Sequence, residues 1–260
     1  MLRFMYKNQY KVKIISNEKL TSRFYRMSFD AGKTIGKVVP GQFIHVRIND
    51  MLDPFFRRPF SIFRAKENIE VLYEVVGDGT RILSSKKKGD VVDIIGPLGK
   101  GFRLPPKKIK QVVMIAGGVG VAPFLALSDE LKKMNYELLL LYGGRTKEHI
   151  FNMKEYKANG CRVSVTTDDG SVGIKGRVSK LYSTIKDDPQ TTYIYTCGPK
   201  PMMASVKEFA EKHGIDGQVS CEEVMACGVG VCKGCSTDTT SGYKTVCYDG
   251  PVFDIKDINF

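Results

Sequence analysis

Residues 111–123 read Gln-Val-Val-Met-Ile-Ala-Gly-Gly-Val-Gly-Val-Ala-Pro, and this stretch decides how the middle of the chain folds. The apolar run before the glycines predicts a buried strand, and the pattern from Pro123 to Met134 predicts an amphipathic helix. Gly117, Gly118 and Gly120 lie between the two, where missing side chains let a dinucleotide pass close to the backbone and its phosphates meet a helix N-terminus. The spacing differs from G-x-G-x-x-G, so a tight turn without a ligand stays an alternative.

The sequence after this stretch continues to alternate between strand and helix patterns. Apolar runs predict strands at Glu137 to Tyr142, Arg162 to Thr166 and Thr192 to Thr196, and Pro201 to His213 has a helical pattern. This alternation is typical of a parallel sheet with flanking helices.

The sequence before residue 111 shows a different pattern of apolar residues. Short β-branched and aromatic runs, separated by turn residues, occupy 11–16, 24–29, 41–48, 60–63, 69–76 and 90–95. Strands so short and so regularly spaced predict a closed antiparallel barrel. We therefore expect an antiparallel barrel at 1–103, a parallel-sheet nucleotide-binding domain at 104–216 and a small cysteine-rich domain with little regular structure at 217–260.

Composition narrows the class of protein. A chain of 260 residues with 42% hydrophobic residues is long enough and apolar enough to fold as two domains and an appendix. The net charge of +12 comes from basic residues scattered along the chain, which does not favour nucleic-acid binding. The longest uncharged stretch, 112–127, is too short and too rich in glycine to span a membrane, and no secretory signal is visible. We therefore expect a cytoplasmic protein with neither a membrane nor a nucleic-acid partner.

Four of the seven cysteines crowd the end of the chain. Cys227, Cys232 and Cys235, followed at a distance by Cys247, have the C-x4-C-x2-C…C spacing of a plant-type [2Fe–2S] loop. Glycines between them let backbone amides approach the cluster sulfurs. A structural zinc site is the alternative, although only one C-x2-C knuckle is present. Cys221 lies outside the pattern and is expected to be a buried packing residue.

A flavin site is suggested by residues in the barrel region. An arginine of the run Arg57-Arg58-Pro59-Phe60-Ser61 can clamp a pyrophosphate, the serine can donate nearby, and the aromatic ring can lie against an isoalloxazine. Backbone amides of Gly79 and Thr80 can serve a second phosphate. Alone, this run is also compatible with a solvated strand edge.

The choice between NADH and NADPH stays open. Asp168 and Asp169 follow a predicted strand and favour the free 2′-hydroxyl of NADH, whereas Arg145 and Lys147 follow another strand and suit the 2′-phosphate of NADPH.

The order of these motifs resembles the ferredoxin-reductase superfamily: arginine and serine in a barrel, the glycine turn, then Cys197-Gly198-Pro199 after a late strand. In this architecture Cys197, Gly198 and Pro199 would lie near the nicotinamide.

Over essentially the whole chain, the sequence further resembles the electron-transfer subunit of the NAD-linked, two-subunit dihydroorotate dehydrogenase of class 1B. The resemblance is carried by 58–61, 96–102, 117–123 and 167–171, and most specifically by 225–228 and 246–253.

The resemblance implies the cofactors and the partner. It places a [2Fe–2S] cluster on the four clustered cysteines, with NAD(H) as a substrate, and it places FAD on Arg58, Pro59, Phe60, Ser61, Leu72, Tyr73, Glu74, Gly79 and Thr80. It implies that dihydroorotate is oxidised on an FMN in a separate catalytic subunit, with two copies of each subunit in a heterotetramer. The residues themselves also indicate that this chain has no substrate-oxidising site. Its histidines are isolated in the sequence and are expected to be surface or packing residues: His45, His149 and His213.

Two other interpretations compete with this one. The small subunit of a ferredoxin:NADP oxidoreductase or of a sulfide dehydrogenase shares the same layout. The other interpretation belongs to a different functional class: a non-enzymatic binding module whose cysteines hold a structural zinc ion.

Overall fold

The computed structural model describes residues 8–49 and 53–260, and the chain opens with a closed antiparallel barrel. Neighbouring strands are hydrogen-bonded in the order β1-β2-β5-β4-β3-β6. The strands are β1 (Gln9–Lys19), β2 (Phe24–Phe29), β3 (Phe43–Arg47), β4 (Arg58–Ala65), β5 (Ile69–Glu74) and β6 (Val91–Leu98). The six strands predicted from the short runs are confirmed, with ends displaced by a few residues. Residues 1–7 and 50–52 of the predicted barrel domain lie outside the described residues.

The two faces of β3 and β4 have different neighbours. Ile44 of β3 pairs with Phe60 of β4, and both side chains belong to the core inside the barrel. Because side chains alternate along a strand, the next pair, His45 with Pro59, faces outward. This outward face of the barrel carries part of the site described below.

A helix that the sequence analysis missed follows β5. Asp78–Ser85 is helical, and the sequence analysis predicted no helix there. Its sequence is rich in glycine, serine and threonine, which are weak helix formers, so propensity gave little signal. The hydroxyl of Thr80 accepts hydrogen bonds from the backbone N–H groups of Val76 and Gly77, at 2.9 and 3.2 Å. These bonds fix where the first turn begins.

The middle of the chain forms a sheet with strand order β10-β9-β8-β7-β11-β12-β15. The strands are β7 (Gln111–Gly117), β8 (Glu137–Gly144), β9 (Cys161–Thr167), β10 (Ile174–Lys175), β11 (Thr192–Cys197), β12 (Asp216–Ser220) and β15 (Val252–Asp254). All pairs are parallel except β12 with β15. The helices of this part are Ala122–Leu131, Met153–Ala158 and Lys200–His213. The predicted strands and the two predicted helices are confirmed, and Met153–Ala158 was not predicted.

The strand order creates a crevice at one edge of the sheet. Chain order runs outward from β7 through β8 to one side, and then returns to β11 on the other side. Ligands of open α/β sheets bind where the order reverses in this way, beyond the carboxyl ends of the strands. The turn after β7 and the turn after β11 therefore flank the expected binding crevice.

The C-terminal part has more regular structure than expected. β12 pairs in parallel with β11, and β15 returns antiparallel to β12, so the tail both begins and ends in the sheet. The expectation of little regular structure from 217 onward is wrong for these strands, because five residues of β12 are too few to show a period. Between them lie the cysteine loop and a small hairpin of β13 (Ser236–Thr237) and β14 (Lys244–Thr245).

The tail packs against both larger parts. Phe43 on the outer face of β3 shares an apolar cluster with residues of the tail and of the sheet domain: Met203, Val219, Cys221, Met225, Cys235, Val246, Cys247 and Ile258. Cys221 is buried here, as expected, and burial raises the pKa of its thiol to about 12.

Ion pairs join the barrel to the sheet domain. Arg26 of β2 and Arg64 of β4 both contact Glu155 of the helix Met153–Ala158, at 3.1 and 2.9 Å. Arg64 also reaches Asp129 at 3.2 Å, and Arg26 pairs with Glu70 of β5. The pairs with Glu155 and Asp129 link two barrel strands to the sheet domain, and because they are partly buried, salt screens them less than exposed pairs.

Within the described residues, no helix combines the length and the apolar character that crossing a membrane requires.

Candidate iron–sulfur, flavin and nicotinamide sites

The cysteine loop folds tightly against two side chains. A Cβ on Gly228 would overlap Nδ1 of His45, and a Cβ on Gly230 would lie 2.8 Å from the Cβ of Tyr248. Gly228 also has a φ of +70°, a conformation that other residues rarely adopt. Glycine is therefore required where the loop passes closest to the barrel and to the residue after Cys247.

Backbone N–H groups of the loop point at the sulfurs. Cys227 Sγ accepts from the N–H groups of Val229 and Cys232, at 3.5 and 3.4 Å, and Cys247 Sγ accepts from the N–H of Gly230 at 3.1 Å. Burial alone would raise the pKa of Cys227, but the N–H groups of Cys232 and Val229 outweigh it and lower that pKa to about 7. The loop is thus built to stabilise negative charge on sulfur.

The four thiols lie in two pairs. The side chains of Cys227 and Cys232 interact with each other, as do those of Cys235 and Cys247. Burial and the neighbouring thiol of Cys235 raise the pKa of Cys247 to about 12, and positive metal charge would offset this cost of adjacent thiolates.

Two thiolates for each of two irons is the donor set that a [2Fe–2S] cluster needs, so the residues fit the cluster. In the part of the chain that the structure describes, no three His, Cys, Asp or Glu side chains surround one point that could hold a single metal ion.

The neighbouring arginines Arg57 and Arg58 make different contacts. The guanidinium of Arg57 is paired with Asp93 at 2.6 Å and donates to the backbone carbonyl of the same residue at 2.9 Å. Arg58 instead lies over the first turn of the helix Asp78–Ser85, where a Cβ on Gly79 would come within 3.0 Å of its Nε. One nitrogen of this guanidinium donates to the backbone carbonyl of Phe56 at 2.5 Å. A guanidinium beside the N-terminus of a helix suits a phosphate, so this corner fits one end of a dinucleotide.

Other residues expected at the flavin point in different directions. Pro59 and Ser61 lie on the outer face of β4, opposite His45 and Phe43 of β3. The rings of Phe60 and Tyr73 pack on each other inside the barrel, with centroids 5.6 Å apart. A flavin contact from these two residues would therefore have to come from their backbones.

Two further expected residues sit at the mouth of the barrel. Leu72 is buried among residues of the sheet domain, and Glu74 pairs with Arg23 at 3.0 Å. The hydroxyl of Thr80 is engaged in capping its helix, so Thr80 could serve a ligand only through its N–H.

The glycine turn after β7 contacts the turn after β11. A Cβ on Gly120 would lie 2.5 Å from the carbonyl oxygen of Cys197, and one on Gly117 would lie 2.8 Å from Cδ of Pro199. These two glycines are required by the packing of one turn on the other. Gly118 differs, because a Cβ there would meet open space, and it is the glycine that faces the crevice.

One acidic residue in this crevice escaped the sequence analysis. Glu222 follows β12, and its carboxyl influences the buried thiol of Cys197, whose pKa is raised mainly by burial and further by Glu222. Part of the Glu222 side chain reaches solvent. Its pKa is nevertheless raised, mainly by burial against the surrounding protein and further by the negative charges of Glu223 and Glu74. Glu222 thus lies between the mouth of the barrel and the turn after β11. Its place in the Cys-Glu-Glu run gave no sequence signal.

The residues that bear on NADH or NADPH converge on one edge. Asp168 follows β9, and its backbone N–H bonds to the carbonyl of Gly144 at the end of β8. Lys147 is held nearby, because its N–H bonds to Oγ of Ser171 at 2.7 Å. Carboxylates and basic side chains therefore share this edge, and the geometry alone does not choose between the two nucleotides.

The histidines are placed as expected. His45 is fully buried, His149 packs edge-on against Phe24, and Nδ1 of His213 lies 2.7 Å from Asp187.

Comparisons with known proteins match these parts. Residues 222–259 match the iron–sulfur cluster binding domain of dihydroorotate dehydrogenase B, and residues 114–208 match the oxidoreductase NAD-binding domain. Among solved structures, a chain of an NADH-dependent reduced ferredoxin–NADP oxidoreductase has a TM-score of 0.83 at 28% identity, over 95% of this chain and 89% of that one. The cytochrome b5 reductase domain of Ulva prolifera nitrate reductase has a TM-score of 0.67 at 19% identity, over 80% and 94%, which shows the fold alone.

The fold and these domains define a ferredoxin-reductase-like oxidoreductase with an added iron–sulfur domain. The chain is 38% identical to the dihydroorotate dehydrogenase B (NAD+) electron transfer subunit of Desulforamulus reducens, over 94% of this chain and 95% of that protein. It is 33% identical to the same subunit of Fusobacterium nucleatum, over 93% and 95%. The chain belongs to the family of these electron transfer subunits, which confirms the family and the fold class expected from the sequence.

Proposed function

We propose that this chain carries electrons between an FMN-containing dihydroorotate dehydrogenase subunit and NAD, through a [2Fe–2S] cluster and FAD. When bound, a flavin exchanges hydride with a nicotinamide and single electrons with an iron–sulfur cluster. The chain supplies the positions of these groups. We further propose that the complex of the two proteins is a heterotetramer with two copies of each subunit.

One observation carries the proposal more than the others. The outer face of β3 meets both candidate sites, since His45 pairs with Pro59 of the flavin motif and its ring touches Gly228 of the cysteine loop. The two sites are thus about one side chain apart.

The proposed ligands follow from the contacts above. Cys227, Cys232, Cys235 and Cys247 hold the cluster, with loop N–H groups stabilising their sulfurs. FAD lies along the outer face of β4 at Pro59 and Ser61, with its phosphates at Arg58 and Gly79 and its other contacts at Phe60, Leu72, Tyr73, Glu74 and Thr80. NAD enters the crevice at Gly118 and is bounded by Gly117, Gly120, Cys197, Gly198, Pro199 and Asp168.

We place the approach of the partner at the outer edge of the cysteine loop. Cys232 is exposed, and the flanking Val231 and Tyr248 have 74% and 65% of their surface in solvent. Large apolar side chains in solvent are typical of a surface that another protein covers. An exposed ligand of the cluster is also the natural point for electrons to enter.

The solved-structure comparison supports a second candidate. The similarity to the NADH-dependent reduced ferredoxin–NADP oxidoreductase keeps a ferredoxin as an alternative electron partner. The same domains would serve either role, so the identity of the partner has to be tested directly.

The test uses the full chain, reconstituted anaerobically with FAD, iron and sulfide. We expect flavin and cluster absorbance that bleaches on adding NADH, and reduction by dihydroorotate only after the FMN subunit is added. Reduced ferredoxin and NADPH are run in parallel as the alternative donor and nucleotide. A colourless protein after reconstitution, or reduction by dihydroorotate without the partner, would contradict the proposal.

A further inference from the structure

His45 is a polar side chain on the part of the outer barrel face that the tail covers. It is fully buried, yet neither Nδ1 nor Nε2 has a hydrogen-bond partner among the described residues. The side chain faces away from the barrel core, on the same outer face as Phe43. The backbone groups of Arg57 and Cys227 lie close enough to act on the ring but do not meet hydrogen-bonding geometry. Because a buried imidazole without a well-formed hydrogen bond is costly, a further partner is expected on that side.

The neighbours of the ring belong to both candidate sites. On the barrel side, His45 pairs with Pro59 across the strands, and the charges of Arg57 and Arg58 lie close enough to act on it. On the tail side, Nδ1 lies directly against Gly228, and the carbonyl of Cys227 is nearby. The ring therefore occupies the space between the flavin motif and a cluster ligand.

The imidazole ring can supply the donor that such a site uses. An imidazole carries at least one N–H donor, whichever of its two nitrogens holds the proton. Sulfur atoms of an iron–sulfur centre accept such N–H groups, and these bonds tune its reduction potential.

We propose that His45 is a positioning residue of the iron–sulfur site, which seats the cysteine loop on the flavin-binding barrel and offers an N–H to the sulfur-rich group that the four cysteines hold. This inference rests on the proposed function, because it requires a cluster on those cysteines. It adds a residue from a part of the chain remote from the cysteines, one that neither the cysteine spacing nor the matched iron–sulfur domain at 222–259 includes.

Two substitutions separate the donor from the packing. His45→Leu keeps a buried side chain without a donor, and His45→Asn keeps an amide N–H near the position of Nδ1. Val46→Ala is the matched control, since Val46 is the next residue of β3 and its side chain belongs to the barrel core. Each full-length variant is reconstituted with FAD, iron and sulfide, as for the wild type.

The measurements are the electron paramagnetic resonance spectrum of the reduced cluster and the midpoint potentials of cluster and FAD. We expect His45→Leu to change the spectrum and to shift the cluster potential to a more negative value, because an N–H donor stabilises the more negatively charged reduced state. His45→Asn and Val46→Ala should stay near the wild-type cluster potential. Loss of the cluster from His45→Leu alone would support the same role.

The outcomes separate this inference from the proposed function. A wild-type chain that forms no cluster would reject the proposed function itself. A normal wild-type cluster whose spectrum and potential are unchanged in His45→Leu, or equally changed in His45→Asn, would reject the role of the His45 N–H and leave the proposed function standing.

Discussion

The contrast between Gly118 and Gly120 gives a sharp test of the crevice at the end of β7. An alanine at 120 would place its Cβ 2.5 Å from the carbonyl oxygen of Cys197 and 2.7 Å from Cα of Gly198. Both obstacles are backbone atoms, so they cannot rotate away as a side chain would. Overpacking of this kind costs up to about 3 kcal/mol.

Alanine at 118 meets a different obstacle. No atom of the described residues lies within 4 Å of the added Cβ, but the φ of Gly118 is +54°, in the left-handed region. An alanine there costs about 1 kcal/mol of backbone strain. For a chain of this size, the difference between the two variants corresponds to roughly 4–8 °C in melting temperature.

The assay is thermal unfolding of each variant beside NADH titration. We expect Gly120→Ala to melt lowest, and Gly118→Ala to melt closer to the wild type while binding NADH more weakly, because its methyl group enters the crevice. Equal melting temperatures of the two variants would refute the role of Gly120 in packing the two turns. An unaltered NADH affinity in Gly118→Ala would refute the placement of Gly118 in the open crevice.

Three further predictions concern the other sites. Arg58→Gln should weaken FAD retention roughly tenfold or more, since a charge-assisted bond to phosphate is lost, whereas Arg57→Gln should lower thermal stability and keep FAD; fluorescence titration with FAD separates them. Cys232→Ser should abolish the paramagnetic signal of the reduced cluster while FAD stays bound, and an unaltered signal would remove Cys232 from the ligand set. For Asp129, burial raises the pKa but the Arg64 guanidinium and the Asn159 amide prevail and lower it. A carboxylate with a lowered folded-state pKa stabilises the fold above its unfolded pKa of about 3.9, and this stabilisation is lost as the pH falls through the folded value. The difference in urea stability between wild type and Asp129→Asn should therefore shrink below about pH 4, and a constant difference would contradict the ion pair.

The sequence predicted the elements whose signal is local. The strands of the barrel and the sheet show as runs of β-branched and aromatic residues, and the cluster loop shows as a cysteine spacing. The helix Asp78–Ser85 escaped because its glycine, serine and threonine residues have weak helical propensity, and its start depends on the Thr80 hydroxyl. Nothing local separates Arg57 from Arg58 either, because their roles depend on Asp93 and Gly79, which are distant in the sequence.

His45 illustrates the same limit more strongly. Its place in the run Phe-Ile-His-Val-Arg shows that its side chain alternates with Ile44 and Val46, so an outward direction could be read from the sequence. The contact with Gly228 could not, because it depends on how the tail returns across the barrel. An isolated histidine is ordinarily a packing or surface residue. The role proposed for His45 is supported only by its fully buried nitrogens, which have no hydrogen-bond partner within 8–49 and 53–260.

The way the tail is attached explains how two redox sites could keep a fixed separation. β12 and β15 anchor the two ends of the tail in the sheet, and Phe43 anchors its middle on the barrel. The barrel is itself tied to the sheet domain through Glu155, which pairs with arginines of two barrel strands. A movement of the cysteine loop relative to β4 would have to break the apolar cluster around Phe43 and the fit of Gly228 on His45 together. Because electron transfer falls steeply with distance, this double attachment would keep the two proposed redox sites at a fixed separation in the resting fold. The exposed edge at Cys232 then remains accessible to the partner subunit that we propose approaches there.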